Sequence, residues 1–193
     1  DKSQHATGVG SDTSIAAIWA ADHEFGRLLN AVDDDTNVFV ISDHGYSTSE
    51  GVIEIESMLN AQGYSSLDEA GGIGVAANGG TALIYGDDLC DGQADAIVDW
   101  LIDQPWGGSI FASERIGTIE GTLPMGLIGM EGPRSADIAV AANWSPADGK
   151  QSVAHSNTFG SMAAGHGEHG GRFLSAFTSV VDCQWFLKCG AST

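Results

Sequence analysis

Basic side chains are scarce in this sequence: seven Lys and Arg stand against 26 Asp and Glu, a formal net charge of −19. So acidic a surface repels the phosphates of nucleic acids and anionic membranes, which excludes a nucleic-acid scaffold function. The same carboxylate excess suits a site that gathers cations. Cysteine is scarce as well. Cys90, Cys183 and Cys189 are too few and too unevenly spaced for a disulfide framework or a structural zinc site, which leaves a Cys183–Cys189 bridge or inert thiols. No apolar run reaches transmembrane length. The glycines around 71–74 and 78–80 make neither a G-x-G-x-x-G fingerprint nor a Walker loop, and no G-x-S-x-G elbow occurs, so a nucleotide-cofactor cradle and a serine-triad hydrolase both lack their sequence signal.

What is present is a globular composition. The chain has 193 residues, 42% of them hydrophobic, enough to bury the core of one domain. Its organising stretch is Val38-Phe39-Val40-Ile41-Ser42-Asp43-His44-Gly45. Four apolar, mostly β-branched residues in a row predict a strand over 37–42 buried on both faces, as inside a parallel sheet. A carboxylate and an imidazole follow at its C-terminal end, the edge at which open α/β sheets bind ligands. Ahead of it, Ile15, Ile18, Trp19, Phe25, Leu28, Leu29 and Val32 share one helical face from Ser11 to about Val32, with Ser11 and Asp12 as N-cap chemistry and Asp33-Asp34-Asp35 as the turn that follows. A helix leading into a buried strand points to the α/β class.

Further along, Ile55, Met58 and Leu59 predict a short helix near 54–62, and Gly71 to Gly74 and Asn78 to Gly80 read as loop or hairpin turns. Thr81 to Tyr85 reads as a strand, Ala94 to Ile102 as a second clear helix, and 109–112 and 137–142 as further strands. The polar, glycine-rich interval 143–171 reads as one long loop, a length that inside a domain goes with function or disorder. It ends on His166 and His169.

The chemistry-bearing set is Asp1, His5, Asp43, His44, His166 and His169. Zinc accepts imidazole nitrogen and carboxylate oxygen, and a catalytic ion needs about three protein ligands and an open position. His44, His166 and His169 lie beside Gly, in stretches that read as loops. His23, inside the first helix, and His155, in the polar loop, read as bystanders.

In order along the chain, Asp1-x-x-x-His5 with Gly8, Ser42-Asp43-His44-Gly45 and Gly165-His166-Gly167 resemble the metal-ligand motifs of the type I phosphodiesterase/nucleotide pyrophosphatase family, within the alkaline phosphatase superfamily. Ala21-Asp22 with Gly26-Arg27, Leu123-Pro124 and Glu131-Gly132-Pro133-Arg134 extend the resemblance over about residues 1–173. It implies an α/β/α sandwich with a largely parallel central sheet, incomplete at the N-terminus. It also implies two divalent ions, most often Zn2+, one held by Asp1, His5 and His166 and the other by Asp43 and His44. His169 is left to a supporting or exposed position. The substrate would be a small-molecule phosphoester, split by a Thr or Ser nucleophile that such proteins carry N-terminal to the residue matched by Asp1. The chain thus resembles the C-terminal portion of a larger enzyme, with 1–173 as a partial catalytic domain of little turnover by itself and 174–193 as a divergent or truncated tail. Family habit implies an extracellular or periplasmic location. Two other readings stay open: a non-catalytic metal-binding homologue, and a sulfatase or phosphonate-hydrolase relative.

Overall fold

The computed structural model describes residues 2–42, 44–65, 72–86, 89, 92–146, 155–157 and 167–168. Two helices open the chain, α1 (Lys2–Thr7) and α2 (Asp12–Leu29). Ser11 caps α2 as its sequence predicts: its hydroxyl accepts from the Ser14 amide at 3.1 Å, satisfying one of the four amides a helix start leaves orphaned. Then come β1 (Ser47–Ser49), α3 (Ile55–Ala61), β2 (Ile73–Asn78), β3 (Thr81–Gly86), α4 (Gln93–Ile102), β4 (Gly107–Ala112), β5 (Leu123–Pro124), β6 (Ile138–Ala142), β7 (Trp144–Pro146), β8 (His155–Asn157) and β9 (Gly167–Glu168).

The core is built on a five-stranded sheet of order β2-β3-β6-β4-β5. Side chains alternate across a strand, and that alternation divides the sheet into two packed faces. Ala82, Ile84, Ile110, Ile138 and Val140 pack with Ile55 and Leu59 of α3 and Ile97, Val98 and Leu101 of α4. Their strand neighbours Leu83, Tyr85, Phe111 and Ala139 pack instead with Met125, Ile128 and Met130 from the 123–130 segment. Each fully buried Leu, Ile or Val contributes about 1.5–3 kcal/mol relative to exposure, so this layer supplies most of the folding free energy.

Two local devices shape the sheet. The β2–β3 hairpin closes through Gly79-Gly80, and Gly79 takes φ +62° at the first loop position, as a type II′ turn requires. In β4 the register shifts between Gly107 and Ile110. There a Cβ on Gly108 would stand 2.9 Å from the carbonyl oxygens of Ala141 and Ala142, so only glycine lets the backbones meet this closely.

A second, smaller sheet has the order β7-β8-β1-β9. Strand β1 is its pivot, parallel to β8 and antiparallel to β9. The Thr48 hydroxyl also accepts from the Val9 amide at 3.2 Å, tying the turn between α1 and α2 to the strand.

Several expectations change. The helices at 12–29, 55–61 and 93–102 and the strands at 81–86, 107–112 and 138–142 lie where the patterns put them. The α/β class stands, but the described five-stranded sheet is mostly antiparallel, with β4–β5 its one parallel pair, not largely parallel. Segment 37–42 forms no strand: Phe39 is 86% and Ile41 90% exposed. Four apolar residues encode a capacity for burial, but no strand among the described residues offers this backbone a ladder. Ile73 and Gly74 open β2 rather than a turn, because pairing with β3 over six registers outweighs the weak strand signal of a Gly- and Ala-rich run. The interval 143–171 contributes β7, β8 and β9, not an unbroken loop. The three cysteines and the tail 174–193 lie outside the described residues. Among the described residues no helix is long and apolar enough to cross a membrane.

At one end of the larger sheet a single carboxylate serves three donors. Asp137 is 2% exposed; its Oδ2 accepts from the Gly86 amide at 2.9 Å and its Oδ1 from Arg115 Nε at 3.0 Å and Nη2 at 2.7 Å. Asp137→Ala leaves the partly buried Gly86 amide and the half-exposed Arg115 guanidinium without their acceptor and is expected to cost about 1–3 kcal/mol, read as a lower urea midpoint at unchanged m-value. Thr48→Val keeps the shape and removes one acceptor. It is expected to cost about 1 kcal/mol and to speed hydrogen exchange at the Val9 amide while core amides of β3 and β6 keep their protection.

Candidate functional site

Three stretches remote in sequence meet around β1. The first is α1, which carries His5. The second is the chain from Ser42 into β1, which carries His44 and Tyr46. The third is β9, whose Gly167 directly follows His166 in sequence and pairs with Thr48, while α1 lies against β9. Of the five proposed ligands, His5 and His44 are described, and Asp1, Asp43 and His166 lie outside the described residues, as does His169.

The two described imidazoles meet the same side chain. The ring of His5 lies 5.1 Å from that of Tyr46 at 84°, and the ring of His44 lies 5.3 Å from it at 74°, both edge-to-face. Edge-to-face contact is the arrangement that ring quadrupoles favour, placing a positive edge on a negative face. All three side chains are half-buried, shielded enough to be held and open enough to take a ligand. Val9–Thr48 bonding keeps α1 in place beside this group, and Gly8 closes the helix with its amide on the Gln4 carbonyl at 2.9 Å.

The chain ahead of β1 is held by its own polar groups. Ser42 Oγ donates to the His44 carbonyl at 2.7 Å, and His44 Nδ1 lies 3.1 Å from the Gly45 carbonyl oxygen. With the proton on Nδ1 facing that carbonyl, the lone pair falls on Nε2, one of the two ring nitrogens through which histidine binds metals. Two half-buried imidazoles in contact with one phenol ring, in an acidic chain, are side chains of the kind that divalent cations accept. Among the described residues no three His, Cys, Asp or Glu side chains cluster closely enough to hold an ion by themselves. His23 is exposed on α2.

Sequence reasoning missed Tyr46 and Thr48. The signal was the period-two spacing of His44, Tyr46 and Thr48 running into β1, which places alternate residues on one side of an extended chain. The polar, glycine-rich composition of 143–171 hides it, since it carries no strand pattern for β8 and β9, which pair with β1 on either side.

No curated protein and no solved structure matches the chain. A family model does. The description of that model is type I phosphodiesterase / nucleotide pyrophosphatase, and its match runs over residues 1–171, through α1, the Ser42–Ser49 segment and β9. With nearly the whole length matched and its three motif-bearing stretches gathered about one strand, the chain belongs to the type I phosphodiesterase/nucleotide pyrophosphatase family.

Proposed function

We propose that this chain provides the metal-binding part of a metal-dependent phosphoric-ester hydrolase acting on phosphodiesters or nucleotide pyrophosphates. The observation that carries the reading is the convergence of His5, His44 and the strand following His166 on β1, within a family match that spans all three. Asp1, His5 and His166 would hold one divalent ion and Asp43 and His44 the other, with zinc the best fit to a mixed imidazole and carboxylate set. The wider architecture in this reading is the alkaline phosphatase-like sandwich.

Bound there, a pair of divalent ions supplies Lewis acidity at the phosphoryl oxygens and eases ionisation of an attacking hydroxyl. The rest falls to the chain. Carboxylates of Asp1 and Asp43 offset concentrated positive charge, while neutral imidazoles bond without over-neutralising it. The two imidazoles come from separate segments, His5 from α1 and His44 from the chain ahead of β1, which suits one histidine for each ion. In the family pattern the attacking Thr or Ser hydroxyl is carried N-terminal to the first ligand Asp, so no residue of this chain is assigned that role.

Elemental mass spectrometry of the purified chain tests the reading. About one tightly held zinc ion per chain is expected at the three-ligand set, lost in His5→Ala and in His166→Ala, and a second, weaker one at the two-ligand set, lost in Asp43→Ala and His44→Ala, while His23→Ala stays at the wild-type content. Negligible metal in a folded, zinc-equilibrated sample overturns the assignment.

A further inference from the structure

We propose that Tyr46 is a shared positioning residue for the two metal half-sites, its ring being the surface that fixes the orientation of both His5 and His44. This rests on the metal-binding reading above and deepens it.

The argument begins with what a metal asks of an imidazole. The nitrogen lone pair lies in the ring plane, so affinity depends on ring orientation as much as on position, and the ring torsion of histidine is intrinsically broad. Most ligand histidines are therefore held by a second group that touches the ring. Neither histidine here sits on a rigid element. His5 is on a six-residue helix, too short to be stable alone, and His44 is in irregular chain. Besides the Gly45 carbonyl at His44 Nδ1, a ring contact common to both histidines is on hand to orient them.

The Tyr46 ring meets both, at 5.1 Å and 84° for His5 and at 5.3 Å and 74° for His44. Tyr46 is also well anchored. It is half-buried and immediately precedes β1, whose backbone is paired on both sides. One side chain thus transmits the rigidity of a paired strand to two imidazoles on separate segments. Because the contacts are made by ring geometry, the requirement is for an aromatic ring at this position. A shared contact also means that both half-sites depend on it together.

Cobalt(II) binding by the full 193-residue chain tests this, using calorimetric affinity and the visible d–d spectrum as readouts independent of turnover. Tyr46→Phe keeps the ring and is expected to bind within about twofold of wild type with an unchanged spectrum. Tyr46→Leu and Tyr46→Met fill the space without a ring. Each is expected to weaken both binding events by about 10- to 100-fold, the usual cost of removing a group that orients a ligand, with a shifted spectrum and an unchanged far-ultraviolet dichroism. Nuclear Overhauser contacts from the Tyr46 ring to both imidazoles are expected in the metal-free wild type, whatever the variants do. Wild-type affinity in folded Tyr46→Leu or Tyr46→Met, a loss in Tyr46→Phe as large as theirs, or absence of those contacts overturns the role of Tyr46 alone. If the wild type takes up no cobalt and no zinc, the metal-binding reading falls and the role of Tyr46 falls with it.

Discussion

The candidate site depends on the backbone pairing of three residues. Ser47, Thr48 and Ser49 are held by β8 on one side and β9 on the other, and the Thr48 hydroxyl reaches a third segment at Val9. A three-residue strand by itself has no stability. Its order comes from being bonded on both edges, and in return it gathers stretches separated by more than a hundred residues. The hydrogen bonds each contribute about 1 kcal/mol net, so the site is held by a modest number of cooperative contacts and not by a deep core.

The core lies elsewhere, in the five-stranded sheet and the helices α3 and α4. Period-two alternation buries one set of strand residues against the helices and the other against Met125, Ile128 and Met130. Asp137 closes the end of this layer by satisfying Gly86 and Arg115 together, a use of a buried carboxylate that is tolerable because every charge on it is met by a donor. Stability and chemistry are thus divided between two sheets. The polar, half-exposed groups around β1 do not have to share space with the fully buried aliphatic layer.

The segment 37–42 shows where hydrophobic patterning stops being informative. Val38, Phe39, Val40 and Ile41 are all exposed, and so are Ile18, Trp19, Leu28 and Leu29 of the preceding helix. Their sequence encodes amphipathic helix followed by buried strand. Burial also needs a neighbouring backbone to complete the hydrogen bonds and a surface to cover the side chains, and neither is a property of the segment. The reverse happened at β2, where weak strand formers pair fully because β3 lies alongside.

Sequence alone determined the helices at 12–29, 55–61 and 93–102, the strands at 81–86, 107–112 and 138–142, and the order of the Asp- and His-bearing motifs. All of these are signals carried by nearest neighbours: helical or alternating periodicity, a Ser cap, Gly turns and the chemistry of Asp and His side chains. The mostly antiparallel sheet order, the exposure of 37–42 and the place of Tyr46 between His5 and His44 were decided only by tertiary structure. Strand partners and ring contacts join residues far apart in the chain, and their free energy exists only once both sides have been brought together.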